Sequence, residues 1–260
     1  MYKQNVTVMP SEVGCTNEIK IRALLNRLQD AAGLAVANVE GSPDELMRRG
    51  YGWVLLKYEL KVEKRLPGMG ETVTLETRHT PGNGFYTLRV FRVFDEANET
   101  LVLAKTSWVL IDLAAGRPVR ATQHLPEVFS QVAGDPPIDE EFVPIPKLSP
   151  SGEQEQKHEK AFPVRFHDLD SNGHVNNAAY FEWVWEATPL DLMDWGIREI
   201  YAEFRVSVKF GETVRVRATE QVPLETRNER FFVYDMIVDG DQKARPVARF
   251  AALWAPGARV

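Results

Sequence analysis

Between positions 167 and 177 the chain reads His167-Asp168-Leu169-Asp170-Ser171-Asn172-Gly173-His174-Val175-Asn176-Asn177. Two histidines, two carboxylates and three asparagines crowd into these eleven residues. Asp170, Asn172 and His174 stand at alternate positions: a carboxylate, an amide and an imidazole. An unperturbed imidazole titrates near pH ~6.5, so this set can exchange protons at cellular pH. The plain alternative is a loop ending in a helix cap, a role that Asn and Asp fill well. A cap needs one such residue, and this segment has several ahead of an Asn-Asn pair. The remaining histidines have no partners at ligand spacing; His79, His124 and His158 read as solvated residues of turns or linker. No metal motif is present. Gly68-Met69-Gly70 is followed by a strand-like run, which excludes a dinucleotide fingerprint.

The elements that must position this segment follow from periodicity. A strand-like run at 162–166 precedes it, and an apolar, aromatic-rich helical stretch at 177–195 follows. Strands are predicted beyond, at 206–210, 213–219, 230–238 and 246–254. The first half has the same order. Ile21, Leu24, Leu25, Leu28, Ala31, Ala32 and Ala35 give helical spacing over 19–37. Strand-like runs follow at 53–62, 72–78, 85–94 and 101–112, punctuated by Gly68, Gly70 and the turn Pro81-Gly82-Asn83-Gly84.

The halves also share sequence. Gly70-Glu71-Thr72-Val73 recurs as Gly211-Glu212-Thr213-Val214, and Glu59-Leu60-Lys61-Val62 lines up with Glu203-Phe204-Arg205-Val206. One long helix followed by antiparallel strands, twice over, is an α+β pattern. It places a unit at 1–130 and another at 161–260. Pro136, Pro137, Pro144, Pro146 and Pro150, with the polar run after them, make 131–160 an extended linker, since proline lacks an N–H and fixes φ.

Composition bounds the rest. The chain has 260 residues, 37 acids against 31 bases and a net charge of −6. With 44% hydrophobic and 26% charged residues it has ordinary globular usage, so wholesale disorder is excluded. The acidic balance argues against a nucleic-acid binder. A single cysteine, Cys15, allows neither an internal disulfide nor a Cys-rich metal site. Cys15 reads as a small, partly buried residue. With no signal-peptide run or spanning segment, the sequence reads as soluble and cytoplasmic.

Asp168-Leu169-Asp170-Ser171-Asn172-Gly173-His174-Val175-Asn176-Asn177 with Tyr180 resembles the DLDxNxHVNNxxY signature of acyl-acyl carrier protein thioesterases. Leu25-Asn26-Arg27-Leu28-Gln29-Asp30-Ala31 is similar to that family's first helix motif, and Gly52-Trp53-Val54 and Ser107-Trp108-Val109 to its tryptophan-bearing strands. The resemblance implies a tandem hot-dog fold, two units each with a long helix wrapped by an antiparallel sheet. It also implies hydrolysis of fatty acyl-carrier thioesters without a cofactor or metal. An acyl-CoA thioesterase and a non-catalytic acyl-binding protein are the alternatives.

The family's implicated residues map onto Asp170, Asn172 and His174. Asp170 would activate water or attack the thioester carbon. His174 would orient the reacting groups or carry the proton to the departing thiolate, and Asn172 would hold the carboxylate. Backbone N–H groups near Asn176 and Asn177 would serve the oxyanion. The family's later Glu-Cys pair falls on Ser207 and Val208, so no thiol mechanism applies. Glu203, four residues earlier, is a candidate substitute for the lost glutamate, and its plain alternative is an ordinary strand residue. The acyl chain is expected in the first unit, against Leu25, Leu28, Ala32, Trp53 and Leu55, each of which also reads as plain core. An acidic carrier protein needs a local basic patch, for which Arg48, Arg49, Lys61, Lys64, Arg65, Arg117 and Arg120 are candidates. A homodimer fits hot-dog units, although two fused units already imitate one.

Overall fold

The computed structural model describes residues 1–37, 42–82, 85–126, 141–146, 157–192, 194–221, 229–239 and 244–256. The chain divides into two compact units, Met1–Phe142 and Val143–Val260. Most of the stretch expected as a linker lies outside the described residues. Its last part does not behave as linker: Lys157–Pro163 is a strand that pairs along Thr213–Thr219.

In the first unit β1 (Tyr2–Thr7) precedes helix α1 (Ile21–Leu34) and the short α2 (Pro43–Arg48). Strands β2 (Tyr51–Val62), β3 (Thr72–Pro81), β4 (Tyr86–Phe94) and β5 (Thr100–Asp112) follow, then β6 (Arg117–Val119) and α3 (Ala121–His124). Its antiparallel sheet runs β1-β3-β4-β5-β2, with β6 on the end of β5. In the second unit β7 (Lys157–Pro163), helix α4 (Asn177–Ala187), β8 (Trp195–Phe204), β9 (Thr213–Gln221), β10 (Arg230–Val238) and β11 (Arg245–Pro256) give the order β8-β11-β10-β9-β7. The two orders are the same pattern, as the repeat predicts.

The repeat extends to turn chemistry. Gly70 and Gly211 both adopt positive φ, +78° and +88°, where a side chain would be strained. Beside each, a glutamate caps the backbone three residues back: Gly68 N–H donates to Glu71 Oε2 (2.9 Å) and Lys209 N–H to Glu212 Oε2 (2.7 Å). One alignment needs correction. Register sets Leu60 opposite Ala104, and Ala104 opposite Phe91, while Ala202 lies opposite Phe250, and Phe250 opposite Tyr234. Leu60 and Ala202 are therefore equivalent, so Lys61 rather than Glu59 matches Glu203.

Helix α1 buries Ile21, Leu24, Leu25, Leu28 and Ala31 on one stripe. Leu25 and Leu28 are fully enclosed, each worth on the order of 2 kcal/mol of transfer free energy. Helix α4 buries Ala178, Ala179, Tyr180, Phe181, Trp183, Val184 and Ala187, most of its surface. It ends at Ala187 rather than reaching 195, because Pro189 forces Thr188 out of the helical region. The freed residues make a 3-10 turn, Leu190–Leu192, and then β8. The strand expected at 206–210 is instead a loop with one bridge, His174 to Lys209.

A 3-10 turn opens the approach to each helix, Pro10–Glu12 before α1 and Phe166–Asp168 before α4. Glu12 accepts the Met9 N–H at 2.8 Å and the Arg27 guanidinium at 2.7 and 3.1 Å. These bonds, that from Arg27 foremost, hold the Glu12 carboxyl below the usual carboxylate range. The stability it contributes is present above the unfolded value of about 4.3 and is lost as pH falls through the folded value. Glu12→Gln should therefore melt earlier than wild type at neutral pH. Melting curves from about pH 7 to 3 should show the difference shrinking with acid.

Candidate functional site

The polar segment forms a tight loop between the 3-10 turn and α4. Leu169 bridges Val175 across it, and Val175 N–H donates to the Val208 carbonyl (2.9 Å). Asp170 organises the loop. Its N–H donates to the His174 carbonyl (2.7 Å), and its carbonyl accepts the Gly173 N–H (3.0 Å). Oδ1 accepts the N–H groups of Asn172 (2.8 Å) and His174 (3.1 Å). Gly173, at φ +72°, makes the reversal that any other residue would strain.

The pinning of Oδ1 leaves Oδ2 with a single long contact among the described residues, the Asn172 amide at 3.5 Å. Asn172 thus lies near the carboxylate. The His174 imidazole does not: its link to Asp170 runs through the backbone. Among the described residues the ring makes no hydrogen bond, and it is half-buried. The loop thus offers a fixed carboxylate with one oxygen spare and a ring with both nitrogens available.

Asp168 is the loop's anchor. It is 0% exposed and accepts from the Arg165 N–H (2.9 Å), Nε (3.0 Å) and Nη2 (2.8 Å). Its carbonyl takes the Asn176 N–H at 2.7 Å. That bond removes Asn176 from the expected oxyanion donors. The Asn176 side chain caps the helix, its Oδ1 accepting the Ala178 N–H (2.8 Å). Among the described residues the Asn177 N–H has no partner, so one donor of the expected pair remains at the helix start.

Two supporting candidates lie elsewhere. Phe204 packs on Tyr180 and Phe181 of α4, so alternation turns Glu203 to the opposite face of the sheet. There register places it in a row of alternating charge: Glu203, Arg249, Asp235, Arg217, Glu159. Arg249 pairs with Asp235 (3.3 Å) and Arg217 with Glu159 (2.9 Å). Glu203 is a sheet-surface residue. Ser207 is exposed, and its carbonyl accepts from Arg245 (3.1 Å).

Tyr180 is a group the residue pattern left without a role. Its hydroxyl feels Arg245, Glu212, the Val208 backbone and Asp170. Burial pushes its pKa well above the usual phenol value, so it stays protonated. Among the described residues no three His, Cys, Asp or Glu side chains converge as a metal ligand set.

In the first unit, the position matching Asp170 is Gly14, whose N–H bonds the Glu18 carbonyl as Asp170 bonds His174. Glu18 stands where His174 would be, so this loop has neither carboxylate nor imidazole in place. Cys15 beside it is exposed, not partly buried.

The first unit has a cavity instead, of about 220 Å³. Ala32, Trp53 and Leu55 line it. Leu25 and Leu28, proposed with them, are sealed in the core. His79 lines it too, and His124 bonds the Tyr51 hydroxyl through Nδ1 (2.9 Å), so neither is the solvated residue expected. Most of the expected basic patch is neutralised: Arg48, Lys61, Lys64 and Arg65 pair with Glu45, Glu63, Glu99 and Glu71.

Both units match known sequence families. Residues 1–129 match the acyl-ACP thioesterase N-terminal domain, and residues 151–251 its C-terminal domain. The chain belongs to the acyl-ACP thioesterase family. Among its relatives, acyl-[acyl-carrier-protein] hydrolase FATB2 of Cuphea viscosissima is 26% identical over 208 residues, covering 75% of this chain and 48% of that protein. Oleoyl-acyl carrier protein thioesterase 2 of Arabidopsis thaliana is 26% identical over 239 residues, 86% of this chain and 64% of that one. The chain thus spans about half the length of the first curated relatives it matches. Among solved structures, 12:0-ACP thioesterase from Umbellularia californica superposes with a TM-score of 0.84 at 22% identity, covering 98% of this chain and 94% of that one. An acyl-ACP thioesterase from Bacteroides thetaiotaomicron gives 0.78 at 20% identity, covering 97% and 96%. The acyl-ACP thioesterase fold is a tandem hot-dog, an α+β architecture, and this chain has it. Among its described residues no helix is long and apolar enough to cross a membrane.

Proposed function

We propose that this chain hydrolyses fatty acyl-acyl carrier protein to a free fatty acid and the carrier thiol. The observation that carries this reading is the state of Asp170: one carboxylate oxygen is fixed by two backbone N–H groups and the other is spare, with an unbonded imidazole four residues on. Water loses a proton to Asp170 Oδ2 as its oxygen attacks the thioester carbon. The Asn177 N–H, aided by the positive end of α4, stabilises the carbonyl oxygen. The C–S bond then breaks, the thiolate takes a proton from His174, and the proton held on Asp170 passes back to the imidazole, restoring both groups. Asn172 keeps Oδ2 oriented. The first unit's cavity holds acyl chain against Ala32, Trp53 and Leu55.

A thiol-release assay over a series of acyl lengths, with each chain on both carrier protein and coenzyme A, tests the reading. Higher kcat/KM on the carrier protein is expected. Release from coenzyme A alone would overturn the choice of carrier. Tight acyl binding with no release from either would make the chain a binding module.

Arg205 and Lys209 flank the loop residue Val208, whose carbonyl holds Val175, and among the described residues neither has a carboxylate partner. They are exposed and present positive charge beside the site to an acidic carrier. Charge reversal to Glu at both should raise KM for the carrier substrate about threefold to tenfold at low salt. The effect should fade near 0.5 M salt, where screening acts within about 5 Å. Steady-state kinetics across salt concentrations checks it.

A further inference from the structure

The core face of the first unit's sheet carries a polar row where packing alone would put aliphatic residues. Register sets His79 opposite Arg89, Arg89 opposite Thr106, and Thr106 opposite Tyr58, across four adjacent strands. All four line the cavity. Arg89 is only 8% exposed. Its Nη1 donates to Thr77 Oγ1 at 3.2 Å and its Nη2 to His79 Nδ1 at 3.4 Å. A guanidinium has no acceptor, so Nδ1 must accept, which puts the His79 proton on Nε2 and leaves the ring neutral. The Thr106 hydroxyl is engaged by the Arg89 carbonyl (3.2 Å) and Trp108 Nε1 (2.8 Å).

Among the described residues no carboxylate pairs with Arg89. Burial lowers its pKa to about 10, which still leaves it cationic at neutral pH. A buried charge without a counter-ion is costly, and such charges are ordinarily paired. The fold does not require one here. The equivalent row of the second unit is Glu220, Phe232, Ala252 and Ile200. There Phe232, in the place of Arg89, is fully buried. One copy of the sheet fills this level with a ring, and the other keeps a cavity and a cation.

The surroundings restrict the ligand. Ala32, Leu55 and Phe91 give the cavity apolar walls. One guanidinium beside a neutral imidazole balances one negative charge, whereas a phosphate dianion would leave charge uncompensated in an apolar space. Arginine's planar fork matches a carboxylate's two oxygens. The volume of about 220 Å³ is far above the about 10–15 Å³ that admits one water, so it has room for an aliphatic acid.

We propose that the first unit's cavity is a binding site for an aliphatic carboxylate, with the carboxylate on Arg89 and the chain against Ala32, Leu55 and Phe91. Such a group has two sources. It is a free fatty acid, or it is the far end of an ω-carboxyacyl thioester, and the second source rests on the hydrolase reading above.

Isothermal titration calorimetry of the full chain with hexanoate and octanoate, against hexan-1-ol and octan-1-ol, tests the site without any turnover. The acids should bind at least about tenfold more tightly than the alcohols. Arg89→Met should remove that preference while leaving alcohol binding within about twofold. The variant should also melt a few degrees higher, because an aliphatic replacement relieves an unpaired buried charge. Equal binding of acids and alcohols by wild type, or no binding of either, overturns the proposal whether or not the variant folds. An unchanged acid preference in folded Arg89→Met overturns it too. Thioester turnover then separates the sources. An ω-carboxyoctanoyl thioester favoured over octanoyl, with the order reversed in Arg89→Met, assigns the acyl group's own carboxylate. Acid binding without that preference assigns the free acid. Should no thioester be turned over, the hydrolase reading fails and calorimetry still decides this site.

Discussion

Asp170→Asn is expected to lower kcat/KM for acyl-carrier substrate by about 10²–10⁴ while moving the melting temperature by under about 2 °C. The substitution is chosen for what it preserves. Oδ1 of Asp170 accepts the Asn172 and His174 N–H groups, and an amide oxygen accepts them equally well. The loop, its Gly173 reversal and the approach to α4 should therefore stand. What disappears is the negative charge and the basic Oδ2, the atom that would take the proton from water. Asp170→Ala gives a different result, since it also removes the two N–H acceptors and loosens the loop. His174→Gln should cost a smaller factor, about 10²–10³, because the thiolate is a good leaving group that needs less help than the attacking water. Pre-steady-state thiol release, with circular dichroism as a control for folding, measures all three. If Asp170→Asn retains activity within threefold, Asp170 serves only as the hinge of the loop and the water must be activated elsewhere.

The carboxylate, amide and imidazole were legible in sequence because polar residues so dense between a strand and an apolar helix exceed what a turn requires. Their mutual geometry was not. Alternate positions suggest side chains on a common face, yet the loop is a compact reversal rather than a strand. It brings Asn172 to the carboxylate and sends the His174 ring elsewhere. Asn176 shows the same limit. Its type announces a cap, and it is one, but only the fold reveals that its N–H is spent on the Asp168 carbonyl.

The repeat was readable through Gly70-Glu71 and Gly211-Glu212, because positive φ and a capping carboxylate are local demands that fix residue type. The edge strand β1 was not seen, since Tyr2–Thr7 has one half-buried face and little apolar signal. Strand β8 fell between the helical stretch placed to 195 and the strand placed from 206, because Arg198, Glu199 and Glu203 break up the apolar signal of Trp195–Phe204. The polar row of the first unit did leave a trace. Arg89 falls in phase with Phe91 and Val93, and His79 in phase with Val73 and Leu75, so period-two counting places charge on the buried face. Glu203 is the converse case. Its place in a motif alignment suggested chemistry, and the strand's alternation turns it away from the helix into a surface charge row.

Arg165→Met is expected to destabilise the second unit by about 2–4 kcal/mol, and to reduce turnover with it. Asp168 is fully buried, and three of its hydrogen bonds come from Arg165. Removing the guanidinium takes two charge-assisted hydrogen bonds and the counter-charge from a buried carboxylate. The pair is lopsided, for the Arg165 side chain is 59% exposed, so solvent returns part of the loss and the upper end of the usual range is not reached. Asp168→Asn should cost less, because an amide is neutral and still accepts. The double variant should therefore recover more than about 1 kcal/mol over additivity. Urea unfolding measures each term. Activity should fall because Asp168 holds the cap: its carbonyl fixes the Asn176 N–H, and Asn176 sets where α4 begins and where the Asn177 N–H points. A variant that unfolds as wild type does but loses activity would make Arg165 a substrate contact. One that loses stability yet keeps full turnover would show that the loop holds its geometry without its anchor.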